Sequence, residues 1–373
     1  MTITDRQHAI GSLESDRETP YWLAISRVPY IGPARIERLL QTFGSLSVAW
    51  SAPREELRLA LEPRSLSELL AARSRIDPVS ELERLARSGI RVIHPGHPSY
   101  PRLLAEISGR PSVLFVRGEL APADARSVAI VGTRRATPYG RQAAERIAAE
   151  LAQAGVTVVS GLARGVDAAA HRAALEAGGR TIAVLGSGPD VIYPAEHRRL
   201  AEQILESGAI LSEFPLGAKP DAQNFPARNR IVSGMTLGTL IIEAPLRSGA
   251  LITATFAADQ GREVFVIPGS IFAQTAEGTN ALLRDGARLV RDGADIFEDL
   301  GLAGSSGPVH TQSQMTLDEN ERRLLAALSK EARHIDELAE EADLPAATVS
   351  ALMLTMELKG LVRNHGAQYY VVR

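Results

Sequence analysis

Three glycine turns and one arginine-rich segment hold the residues whose types and spacing could do chemistry. Gly132-Thr133-Arg134 follows the apolar run Val128–Val131, and Pro138 opens a helical pattern just beyond it. A glycine lets the chain turn, a hydroxyl and backbone amides can bind phosphate oxygens, and an arginine adds a two-pronged clamp. Ser160-Gly161-Leu162-Ala163-Arg164-Gly165 repeats the arrangement after Val156–Val159, and Gly186-Ser187-Gly188 follows Ile182–Leu185. The fourth element, NFPARNRIVSG, gathers Phe225, Arg228, Asn229 and Arg230 at an expected helix start. Guanidinium forks beside an aromatic ring suit a sugar–phosphate chain with a stacked base. The competing reading makes Phe225 core and pairs the arginines with Glu213 or Glu243.

Other chemistries fit less well. No G-x-G-x-x-G and no Walker lysine is present, so a mononucleotide or one phosphate of a polymer fits better than a dinucleotide or ATP. Ser160, Asp167 and His171 have the residue types of a hydrolase triad, but the serine lacks a G-x-S-x-G elbow, and Asp167 suits a helix N-terminus. His94 and His97 lie in a proline-rich loop with no third ligand nearby, so no metal is expected. The sequence has no cysteine, which removes disulfides and thiolate chemistry.

Short β-rich runs ending in glycine, each followed by a helical period, predict consecutive βα units of an α/β fold with a mostly parallel sheet and helices on both faces. Further strands are expected at Ala209–Leu211, Leu240–Ile242 and Val264–Ile267. All the glycine turns then share the edge outside the strand C-termini, where such sheets bind ligands. The expected organisation is a helical module over 1–88, the α/β domain over 89–300, a Gly/Ser linker over 301–314 and a small module over 315–373. Trp22, Phe43 and Trp50 are expected in the core of the first module. Its Ile31-Gly32-Pro33 turn resembles a helix–hairpin–helix, SAM-like, with Tyr30 where a glycine is usual; DNA contact and plain packing both remain open there. The last module reads as three helices and a β-ribbon, a winged helix. Its third helix offers no base-reading side chain, and the module carries 7 basic against 10 acidic residues. Protein contact, scaffolding and a weak duplex DNA contact through Arg363 and His365 stay open.

The net charge of −3 does not advertise a polyanion binder, and residues 1–119 are nearly balanced at 16 basic against 14 acidic. Lysine occurs only at 219, 330 and 359, so any anion site is built from arginine. No apolar run is long enough to span a membrane and no signal-peptide core is visible, so the expected location is the cytoplasm.

The segments SVAIVGTRRATPYG, SGLARGVDAAAH, LGSGPDVIYPAEH, SEFPLGAKPDAQNFPARNRIVSG, EAPLRSGALITA and GREVFVIPGS, in order from about Ile90 to Leu300, closely resemble the bacterial DprA/Smf DNA-processing family. The resemblance implies a Rossmann-like domain that binds incoming single-stranded DNA in natural transformation. It implies protection of that strand, action past single-strand-binding protein and loading of RecA. It assigns the DNA pocket to Gly132, Thr133, Arg134, Arg164, Phe225, Arg228 and Arg230, and it implies a homodimer through NALLRDGARLV, with Leu283 and Leu289 as interface residues. No cofactor and no catalytic residue is implied. On this reading, loss of Arg134 or Arg228 weakens binding with folding intact, and removal of 315–373 leaves single-strand affinity nearly unchanged. The rival is a phosphoribohydrolase with the signature P-G-G-x-G-T-x-x-E. Here SGMTLGTLIIEA lacks P-G-G and places Glu243 one residue late, on the opposite side of its strand.

Overall fold

The computed structural model describes residues 17–302, 318–328, 333–358, 361–364 and 368–372. Most of the expected linker and His365 lie outside these residues. The chain divides into two compact units, Met1–Val309 and His310–Arg373.

In the first unit nine strands form one sheet. They are β1 (Arg91–Ile93), β2 (Leu114–Gly118), β3 (Ser127–Val131), β4 (Thr157–Ser160), β5 (Thr181–Leu185), β6 (Ala209–Ser212), β7 (Gly238–Ile241), β8 (Glu263–Val266) and β9 (Arg288–Leu289), in the order β1-β2-β6-β5-β4-β3-β7-β8-β9. From β6 to β9 neighbours are parallel, while β1 and β2 join antiparallel at one end. The central strands β3, β4 and β5 are buried along their whole length, as their unbroken apolar runs require.

Period-two alternation sorts the strand side chains onto two faces. Val128, Ile130, Val158, Leu240 and Phe265 pack under the helices Pro138–Gln153 and Val166–Glu176. Ala129, Val131, Val159, Val184 and Ile241 pack under the helices Asn224–Gly234 and Gly249–Asp259. The chain winds β3, β4, β5, β6 in one direction, then crosses through Asn224–Gly234 and resumes with β7 on the other side of β3. That reversal between β3 and β7 is the topological switch point, where diverging loops leave a crevice.

The helical N-terminal region shares its core with the sheet's first two strands. Trp22, Trp50, Leu39 and Leu69 cluster with Val92 and Phe115, so packing is continuous across residue 88. Phe43 is only partly buried against this cluster. His94 stacks on Trp22 with ring centroids 4.7 Å apart. Tyr30 takes the left-handed φ of +64° that a glycine would favour, and the Arg64 guanidinium lies 3.8 Å over its ring. The second unit has the helices Glu319–Ala327, Ile335–Ala342 and Ala346–Leu358, with β10 (Arg333–His334), β12 (Tyr369–Val372) and β11 (Val362–Asn364) as its sheet. Leu324, Leu338, Val349 and Met353 form its own core, the layout of a winged helix. No helix among the described residues is long and apolar enough to cross a membrane.

The triad geometry is not assembled. Ser160 Oγ donates to the Ile130 carbonyl at 2.6 Å, and His171 Nδ1 meets Thr181 Oγ1 at 2.7 Å. Thr181 itself donates to the Val158 carbonyl, so Nδ1 is the protonated nitrogen of His171, and the buried Nε2 has no partner among the described residues. Burial pushes the imidazole pKa down from 6.5 to about 3. Below pH 6.5 the unfolded chain therefore takes up a proton that the folded chain refuses, and stability is lost as pH falls toward about 3. Between pH 7 and 5 the wild type should lose about 2 kcal/mol more than His171→Gln, measured by urea unfolding at both pH values. Equal losses would mean that His171 is not held neutral.

Candidate nucleic-acid interface

A cavity of about 690 Å³ opens at the switch point. Its walls are Gly132–Arg134 after β3, Gly161 and Asp167 after β4, Phe225, Arg228 and Asn229 on the Asn224–Gly234 helix, and Pro245 and Arg247–Ala250 after β7. Tyr193 and Ile252 complete the rim.

Packing of the turns against one another explains several glycines. Gly165 has φ +76°, and a Cβ there would overlap the Thr133 carbonyl, so only glycine lets the two turns meet. A Cβ on Gly161 would overlap the Arg228 guanidinium. Arg228 is buried, donates through Nη1 to the Gly161 carbonyl at 2.7 Å and to the Val184 carbonyl, and sends Nε to Asn229 Oδ1 at 3.3 Å. Burial pushes its pKa down to about 10, with the Asp167 carboxylate opposing the shift. Asp167 is buried too, and burial raises its pKa against the pull of Arg228 and of the Ala163 and Gly161 N–H groups it accepts.

Arg134 is the opposite case. It is exposed, its Cζ sits 4.9 Å over the centre of the Phe225 ring, and no carboxylate among the described residues lies within ion-pair reach. A cation over an aromatic face contributes about 0.5–2 kcal/mol, enough to bias the side chain toward the cavity. Gly186 makes room for the same ring, since a Cβ there would approach it to 3.0 Å. Tyr193 packs on Phe225 with centroids 5.9 Å apart and planes inclined by 43°.

Several expected contacts take other places. Arg164 lies outside the cavity lining and holds Glu196 with two bonds of 2.8 Å. Arg230 likewise spends its guanidinium on Glu213, at 2.6 and 2.8 Å, realising the ion-pair alternative for that residue. Gly186, Ser187 and Gly188 are buried; Ser187 Oγ donates to the Val191 carbonyl and the Gly188 amide to Ala218. The third turn supports Phe225 instead of cradling an anion. The Thr133 amide donates to the Glu243 carbonyl at 2.7 Å, leaving its hydroxyl, which accepts from the Arg135 amide, at the wall. The Glu243 carboxylate is buried outside this cavity, accepting from the Thr137 amide and from the Thr137 and Thr275 hydroxyls. Leu283 is half-buried against the core, whereas Leu289 on β9 is 48% exposed.

Arg247 and Tyr193 are wall residues that sequence reasoning missed. Arg247 is exposed on the β7 turn with no carboxylate within ion-pair reach among the described residues. The rule that picked Arg134, an arginine in a glycine turn at a strand end, applies to PLRSG as well. Tyr193 lies in an irregular loop with no periodic signal.

Because the Arg228 guanidinium is internal, its loss should disturb the fold. Arg228→Met should lower the denaturation midpoint, at a cost of about 3–5 kcal/mol, by leaving buried carbonyls and Asp167 without their cation. An unchanged midpoint in guanidinium melts would place that charge at the surface.

A family model described as DNA recombination-mediator protein A matches residues 91–301, and one described as the DprA winged helix domain matches 308–368. Protein Smf of Synechocystis sp. is 35% identical over 395 aligned residues, covering 95% of this chain and 99% of that one. The X-ray structure of DNA processing protein A from Streptococcus pneumoniae superposes with a TM-score of 0.67 at 33% identity, over 75% of this chain and 98% of that one. DNA processing protein A from Helicobacter pylori, described for its single-stranded DNA binding mode, gives 0.51 at 33% identity, over 54% and 93%. The crevice thus sits in the region these proteins share, and the chain belongs to the DprA/Smf family of DNA-processing, recombination-mediator proteins.

Proposed function

We infer that this protein binds single-stranded DNA across the switch-point cavity, without regard to sequence and without cutting it, and delivers the strand to RecA. The observation that carries the reading is Arg134, an exposed guanidinium held over Phe225 in the wall of an open cavity, with no carboxylate within ion-pair reach among the described residues. Arg247 on the turn after β7 supplies a second charge for the backbone. The binding described for the Helicobacter pylori relative supports the ligand class, and the recombination-mediator family supports RecA as the recipient. Single-strand-binding protein is the natural competitor for the strand. A homodimer through the exposed Leu289 edge would place two such cavities on one assembly. The phosphoribohydrolase alternative needs a carboxylate in the cavity at the β7 position, and Glu243 is engaged elsewhere.

Arg134→Ala should leave the melting temperature unchanged and weaken oligo-dT binding about ten- to hundredfold. Its log K against log salt slope should fall by about 0.7, the loss of one phosphate contact. Wild-type affinity and slope in fluorescence anisotropy would remove this cavity from consideration. Leu289→Arg should convert a dimer to monomers in light scattering; a persisting dimer mass would exclude that edge.

A further inference from the structure

Tyr193 is the more exposed member of the aromatic pair that lines the cavity, and Phe225 lies behind it, half-buried. One face of Phe225 is covered by the Arg134 guanidinium, and Gly186 presses on the ring from another side. A base slotted between Phe225 and Tyr193 would need parallel rings about 7 Å apart, twice the contact distance of stacked carbon atoms. The rings are 5.9 Å apart and inclined by 43°, so they touch each other and leave no slot. Tyr193 is 42% exposed and lines the same cavity. We propose that Tyr193 is the stacking platform of the site, taking a nucleobase on its outer face, with Phe225 as its backing and Arg134 holding the adjoining phosphate.

The arrangement divides labour. Phe225 fixes two neighbours, a cation and an aromatic, and each meets a different part of the nucleotide. Every base has a π-face, so a single tyrosine platform is indifferent to sequence. The inference rests on the single-strand reading above, and its test separates the two.

Binding of a labelled oligo-dT and of an abasic oligonucleotide of equal length is measured by anisotropy over a range of salt for wild type, Tyr193→Ala, Tyr193→Phe and Arg134→Ala. Tyr193→Ala should lose about five- to hundredfold on oligo-dT, keep the wild-type salt slope and match wild type on the abasic strand. Tyr193→Phe should restore full binding, because stacking needs the ring and not the hydroxyl. Arg134→Ala should weaken both oligonucleotides and lower the slope. If Tyr193→Ala binds oligo-dT like wild type, or loses equally on the abasic strand, the platform assignment is wrong while the single-strand reading stands. If wild type binds neither oligonucleotide, both fall.

Discussion

The buried guanidinium of Arg228 is the interaction on which the site depends. It ties the crossing helix Asn224–Gly234 to the carboxyl ends of β4 and β5 through the Gly161 and Val184 carbonyls. Gly161 must be glycine for the fork to enter, and Asp167 supplies the nearby negative charge that offsets part of the desolvation. Phe225 lies three residues before Arg228, one turn earlier on the same side of the helix. Locking Arg228 therefore fixes the ring over which Arg134 sits. With its pKa near 10, Arg228 stays charged at neutral pH and adds to the potential of the cavity.

Around that anchor the rim arginines fall into two kinds. Arg164 and Arg230 are neutralised by Glu196 and Glu213 and lie outside the cavity lining. Arg134 and Arg247 line the cavity with no carboxylate within ion-pair reach among the described residues. This sorting explains how a chain of net charge −3 can offer a polyanion site. Local fields in a cleft depend on which cations are left unpaired, not on the sum over the molecule.

Much of this was legible in the sequence. The apolar runs marked β3 to β8 to within two residues but not β9, and the glycines that followed them marked the edge where the turns gather. Gly132-Thr133-Arg134 and Phe225, singled out from their motifs, come together in the wall of one cavity. What was hidden is the direction of side chains within a rich motif. Arg228 and Arg230 stand two apart on one helix and so point to different sides, one inward to carbonyls, the other to Glu213. Nothing local distinguishes them, because the partners come from β4, β5 and the segment after β6. Gly186-Ser187-Gly188 has the composition of an anion cradle, yet the chain after it folds back and takes up its polar groups. Tyr193 was invisible for the converse reason: its role comes entirely from the ring it meets across the fold.

The function proposed is that of an open cationic crevice that holds a single strand and leaves it whole. Competition on the full-length protein tests it most directly: a labelled single-stranded oligonucleotide is displaced by unlabelled single strand, by duplex of the same sequence or by AMP, and the recovered label is sized on a denaturing gel. Displacement by single strand alone and a recovered strand of the original length are expected. Displacement by AMP, or a shortened strand, would contradict that function.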